Sequence, residues 1–218
     1  EKAIHAAIDN ISLQSGCQVA FPTICTISGQ TLHNHSYDGI LKRHDLLLVD
    51  AGSDSPLHYA TDNTRTTPVG GRFTQQQKEI YQIVLNANNA AREAMRPDVF
   101  FKDVHLVASQ TIADGLISLG IMKGDAEDIV RRGAHAMFFP HGIGHMLGLD
   151  VHDMDSYGET RVGYDDEVSR SDQFGLRRIK AREPPHLTLE QMPIVQRRHS
   201  PSFSAHRCRA ARRDARVT

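Results

Sequence analysis

The stretch that decides the fold is VDAGSDSPLHYATDNTRT, residues 49–66, entered from the apolar run Leu46-Leu47-Leu48. An apolar run ending in Asp50 reads as a buried strand, and the Thr-rich HYATDNTRTTPV (58–69) reads as its partner. Ser55 and Pro56 lie midway, so a hairpin turning there is the economical connection. With that turn, Asp50 and Asp62 are equidistant from its centre and fall directly opposite each other. Like charges so placed are destabilising. A protein can solvate both, protonate one, or set a cation between them. The apolar entry to Asp50 argues against solvation, and a hard divalent cation taking oxygen ligands answers the repulsion directly. The competing reading caps a turn at Ala51-Gly52 with Asp50 and pairs Asp62 with Arg65.

A second segment, HGIGHMLGLDVHD (141–153), brings His141, His145 and His152 together among glycines and apolar residues. A histidine ligand must be neutral and held in one orientation, and glycine lets backbone approach a site closely. The alternation of Leu149 and Val151 places Asp150 and His152 on the opposite face. Spacing alone does not say which histidine is the ligand. HGIGH lacks the glutamate and the helix of an HExxH site, which argues against a thermolysin-like zinc site.

Around these segments the chain reads as alternating blocks. Ala3, Ile4, Ala7, Ile8 and Ile11 have helical spacing over residues 2–14, closed by Gly16. QVAFPTICTISG (18–29) reads as a strand. Thr74 and Gln77 form a capping box that opens a helix through about residue 95. A second helix is expected over 102–120, and a short third between Gly124-Asp125 and Gly133. AHAMFFPHGIGH then returns to extended or looped chain, because glycine costs about 1 kcal/mol inside a helix. Strands, then helices, then strands give an α+β layout rather than regular βαβ alternation.

Bulk properties narrow the function. The 218 residues suffice for one sizeable domain, and a net charge of −1 points to neither nucleic acid nor an anionic membrane. No apolar run reaches the ~20 residues of a membrane span. Cys17, Cys25 and Cys208 are odd in number and lack CxxC spacing, which suggests free thiols in a cytoplasmic setting. The thirteen histidines raise the expectation of metal chemistry. From Arg177 onward about a quarter of positions are arginine and apolar periodicity fades. A basic solvated tail is one reading; residues never selected to fold is the preferred one.

With both segments in hand, the chain resembles the pita-bread metallopeptidases, and within them the Xaa-Pro aminopeptidase and prolidase branch. The resemblance covers residues 1–176 and rests on VDAG, on YATDNTRTTPVGGRFT (59–74) and on HGIGHMLGLDVHD. It implies an α+β pita-bread fold and hydrolysis of the peptide bond before proline. The cofactors it implies are two divalent ions (manganese, cobalt or zinc), and the partner is a peptide with proline second, with a homodimer allowed for. On this pattern Asp50 would bind one ion, Asp62 would bridge both and His145 would bind the second. His33, in TLHNH, would take the substrate-side position; His141 and His152 would orient the scissile carbonyl and steady the transition state.

The family pattern continues with a VEPG-like motif and a second late glutamate. LTLEQMP (187–193), with Glu190, echoes the first, and nothing after it resembles the second. The expectation is therefore a partial catalytic domain, residues 1–176, entered at its first helix and followed by a non-matching or frame-shifted tail, 177–218, that is disordered and impairs activity. Two other readings stand beside it: a non-catalytic pita-bread module that binds peptides or proteins, and a methionine aminopeptidase.

Overall fold

A computed structural model describes residues 1–97, 99, 101–153 and 187–188. They divide into two compact units, 1–74 with 147–153, and 75–146 with 187–188.

The first unit opens with helix α1 (Lys2–Gln14). Its inward stripe is Ile4, His5, Ile8, Asp9 and Ser12, while Ala3, Ala7 and Ile11 face outward, Ile11 at 64% exposure. The helix is amphipathic as expected, but its half-buried stripe is rotated toward polar residues that have partners. His5 Nε2 lies 3.1 Å from Asp9 Oδ2 and stacks on Tyr37 at 3.9 Å. Thr23 Oγ1 donates to Asp9 Oδ1 at 2.7 Å. Hydrogen bonds thus decide a rotation that apolar spacing alone misjudged.

The expected strand over 18–29 breaks at Pro22 into β1 (Gln18–Val19) and β2 (Ile24–Thr26). β3 (Leu46–Ala51) is the centre of an antiparallel sheet ordered β2-β3-β5, with β5 spanning Asn63–Pro68. Between them β4 (Ser53–Asp54) leaves that sheet and pairs with β1. The register sets Asp50 opposite Ile24 on one side and Thr64 on the other.

The hairpin does not turn at Ser55-Pro56. Asp50 opposes Thr64, and Asp54 bridges to Ala60, so the pairing is centred on Leu57. The reason lies in the tip. Ser55 N donates to Tyr59 O at 3.1 Å and Tyr59 N to Ser55 Oγ at 3.0 Å, closing a wider loop in which His58 takes a left-handed φ of 59°.

The second unit is built on helices α2 (Gln75–Ala94) and α3 (Phe101–Ser118). α2 begins directly after Thr74, where the capping box placed it. Small residues let the two helices approach closely: Ala87, Ala91 and Ala108 are buried between them, and a Cβ on Gly115 would come within 2.6 Å of Ile83. Gly120, at φ 72°, follows the end of α3. Helix α4 (Ala126–Arg131) starts at Asp125, whose carboxylate accepts from Asp128 N at 3.0 Å. A 3₁₀ turn (Ala134–Met137) follows, then β6 (His145–Met146). β7 (Leu187–Thr188) pairs antiparallel with β6, with His145 opposite Thr188. Phe139 and Ile143 complete the α2–α3 core, so this core grips the histidine loop from both ends. The rest of the Arg-rich segment, Glu190 included, lies outside the described residues.

Candidate metal centre

Asp50 sits at the centre of the three-stranded sheet and is only 7% exposed. A carboxylate in that place must be compensated, because an isolated buried charge is expensive. Its sheet face is mixed: Ile24 lies directly opposite it, and Thr64 and Thr26 share the face by strand alternation, all three buried. Asp62, half-buried, falls opposite Gly52 in the same register and therefore diagonal to Asp50 on the same face. The directly opposed pair expected from the sequence is replaced by a diagonal one. Diagonal neighbours are about 7–8 Å apart at Cα and remain within mutual reach of their side chains. Such a pair repels less than an opposed one, and its carboxylates can still share a cation between them.

Gly52 makes this geometry possible. A Cβ there would lie 1.9 Å from Thr61 O and 2.6 Å from the Phe21 ring. Only glycine lets the strand pass so close to its partner as it leaves β2 for β1.

His33 lies in an exposed loop with a left-handed φ of 51°. The loop is tied back to β2 and α1: Asn34 Nδ2 donates to Thr26 Oγ1 at 3.0 Å, and the amides of Gly39 and Ile27 both donate to the Glu1 carboxylate. His152 is exposed, in a segment anchored where Ala60 N donates to Gly148 O at 2.9 Å. A Cβ on Gly148 would meet only the carboxylate end of the Asp153 side chain, which can turn away. Bends replace the expected alternation over 149–152, and Leu149 is exposed. One unit thus holds Asp50, Asp62, His33 and His152.

His141 and His145 belong to the other unit. His145 is 8% exposed, and its Nδ1 donates to Met146 O at 2.8 Å. A carbonyl only accepts, so Nδ1 carries the proton and Nε2 carries the lone pair, the tautomer a metal ligand needs. His141 is set the same way, with Nδ1 donating to Gly142 O at 2.8 Å. Its ring meets Phe139 edge-to-face at 4.8 Å. A buried carboxylate and an imidazole in this tautomer suit a divalent cation by their chemistry. Among the described residues, however, no three His, Cys, Asp or Glu side chains form a group that could hold one.

Two further histidines went unremarked in the sequence. His105 and His135 are both buried, at the base of the His141 loop. Burial, then the neighbouring His135 and His141, lowers the His105 pKa from 6.5 to about 3. Burial also lowers that of His135, against a hydrogen bond to the Ile129 carbonyl that raises it. The available signal was helical spacing: His105 falls on the stripe Phe101, Val104, Ala108 and Ile112 that faces the core.

Residues 1–174 match the family model described as metallopeptidase family M24. Xaa-Pro aminopeptidase of Haemophilus influenzae is 43% identical over 130 residues, 60% of this chain and 30% of that protein. The Escherichia coli Xaa-Pro aminopeptidase is 40% identical over 146 residues, 65% of this chain and 33% of that protein. Among solved structures, aminopeptidase P from E. coli with the inhibitor Pro-Leu superposes at a TM-score of 0.70 with 37% identity, covering 74% of this chain and 37% of that one. Pseudomonas aeruginosa aminopeptidase PepP gives 0.67 at 34% identity, over 72% and 36% of the two chains. The chain therefore spans about a third of the length of the relatives it matches. No described helix is long and apolar enough to cross a membrane. By sequence and by its α+β pita-bread fold, the chain belongs to metallopeptidase family M24, in the Xaa-Pro aminopeptidase and prolidase branch.

Proposed function

We propose that this chain carries the metal-binding face of an enzyme that hydrolyses the peptide bond before proline, and that it is impaired in doing so. The observation that carries the reading is the diagonal pair Asp50 and Asp62 on one sheet face of a chain in this family. Asp50, Asp62 and the Nε2 of His145 would hold two divalent ions (manganese, cobalt or zinc). When bound, such ions supply positive charge that lowers the pKa of water and polarises a peptide carbonyl. His141 presents one fixed tautomer toward the scissile carbonyl, and His152 donates to the oxygen on which negative charge develops. His33 contacts the substrate beside the proline. Buried thiols at Cys17 and Cys25 fit a cytoplasmic setting.

Three ligands for two cations leave both coordination shells short, and no described carboxylate takes the role of general base. Loss of a positioned acid–base group costs about 10²–10⁴-fold in rate. The expected result is at most one tightly bound ion and little cleavage of Ala-Pro peptides. Calorimetric titration with Mn²⁺, followed by a cleavage assay in excess Mn²⁺, tests both halves. Two tight sites with ordinary turnover would overturn the impairment; no Mn²⁺ binding at all would favour a non-catalytic pita-bread module that binds peptides. That second reading is supported by the sequence, where nothing after LTLEQMP resembles the family's second late glutamate.

A further inference from the structure

His141 stands between Pro140 and Gly142, in a stretch without helix or strand. Beneath it runs a ladder of rings. His141 meets Phe139 edge-to-face at 4.8 Å with an interplanar angle of 87°. Phe139 lies face-to-face on His105 at 5.1 Å and 19°. His105 in turn meets the edge of His135 at 6.3 Å. Phe139, His105 and His135 are all buried, and Ile143 pins the far side of the loop into the α2–α3 core.

His105 Nδ1 is buried with no hydrogen-bond partner. Buried polar atoms nearly always find one, so an orphaned imidazole needs an explanation. The ring contributes its faces instead of a hydrogen bond. A neutral ring stacked on Phe139 fixes the plane of that phenyl group, and His141 packs against the phenyl group at right angles to it. We propose that His105 is a positioning residue for His141, acting through Phe139 from the rigid body of α3. The proposal rests on the reading of His141 as the group that orients the carbonyl. The bond from His141 to Gly142 O joins it to a neighbour in the same loop that can move with it, whereas the ladder ties the ring to α3. Without the ladder the His141 ring loses its single orientation and, with it, its single tautomer.

The test is long-range ¹H–¹⁵N correlation of the imidazoles in the metal-free full chain, with His141 assigned by its absence from H141N. The wild-type chain should show His141 as one tautomer protonated at Nδ1. H105A should shift that signal to an average of both tautomers, whereas H105F, which keeps a stacking ring, should leave it within line width of wild type. A merely structural role would lower the melting temperature of H105A and leave the His141 pattern unchanged. An unchanged pattern in H105A overturns the proposal, as does an H105F spectrum as averaged as that of H105A. If H105A does not fold, F139L decides the matter: it keeps apolar volume but removes the ring. Averaging in F139L supports the ladder, and a single tautomer there overturns it. Because the spectrum is recorded without metal or substrate, failure of the aminopeptidase reading appears separately, as missing Mn²⁺ binding and turnover.

Discussion

Asp50 and Asp62 share one face of the hairpin but sit diagonally, Asp50 opposite Thr64 and Asp62 opposite Gly52. A diagonal pair costs the empty protein little, because cross-strand charge effects are about 0.2–1 kcal/mol even between direct neighbours. D62N should therefore leave the melting temperature of the metal-free chain unchanged or slightly higher. With Mn²⁺ the order reverses. Loss of a residue that merely supports a ligand costs about 10–100-fold in affinity, so loss of a ligand should cost at least about 100-fold. The rise in melting temperature that Mn²⁺ gives the wild-type chain should vanish in D50N and D62N. Equal Mn²⁺ shifts in wild type and both variants would remove these carboxylates from the site.

Gly52 is the steric condition for that diagonal. An added Cβ would meet backbone at Thr61 O, 1.9 Å away, and backbone has no alternative rotamer. G52A should cost about 3 kcal/mol, the upper end for overpacking, and should also abolish Mn²⁺ binding by shifting Asp62. Gly71 is the control: its φ is 80° and nothing lies within 4 Å of a built Cβ. G71A should cost about 1 kcal/mol through left-handed strain alone and spare metal binding. Urea unfolding of the two variants measures the contrast. Similar losses in both would mean that the close approach at Gly52 relaxes without penalty.

Acid stability should report on His105. Its folded pKa is about 3 against an ordinary 6.5. Above the ordinary value the ring is neutral in both states and the group is indifferent to pH. Between the two values the unfolded chain takes a proton that the folded chain refuses, so stability falls with falling pH. The slope approaches about 1.4 kcal/mol per pH unit for one such group. His135, shifted in the same direction, adds to it. H105F should flatten the acid limb between about pH 6 and 4 while leaving carboxylate titration as it was. Urea midpoints across that range check this, and parallel curves for H105F and wild type would show that His105 is not held neutral.

Much of this was legible in the sequence because it follows from local rules. Thr74, Asp125 and Gly120 mark helix ends through capping and left-handed backbone, which are properties of a few adjacent residues. The run ending in Asp50 announced a buried strand because burial needs apolar neighbours. The register of the hairpin was not legible, because it depends on the loop closed between Ser55 and Tyr59, and one residue of turn moves each pairing. The rotation of α1 was missed for a related reason. Asp9 and His5 look like surface residues until Thr23 and Tyr37, distant in sequence, supply their partners. His105 passed as an ordinary helix residue because its neighbours Phe139 and His135 come from beyond α4.

The pairing of β6 with β7 leads to the last prediction. His145 lies opposite Thr188, and Met146 opposite Leu187, within a segment whose composition argued against packing. A two-residue ladder is weak on its own, yet it is the strand pairing in which the His145 backbone takes part. His145 also spends its Nδ1 proton on Met146 O, the carbonyl of the next residue in the same strand. Backbone pairing and ring tautomer are therefore linked: if Met146 rotates, the acceptor leaves Nδ1 and the lone pair on Nε2 loses its direction. A chain ended at residue 176 should show faster hydrogen exchange at the amides of His145 and Met146, by about tenfold or more, since loss of one net hydrogen bond of about 1–1.5 kcal/mol shifts an opening equilibrium by that order. Amides in α2 and α3 should exchange as before, because the core described between them is built from residues 83–143. Mn²⁺ affinity should fall with the same truncation if His145 is a ligand. Unchanged exchange at His145 and Met146 would show that the ladder does not persist in solution, and the Arg-rich segment would then contribute nothing to the site.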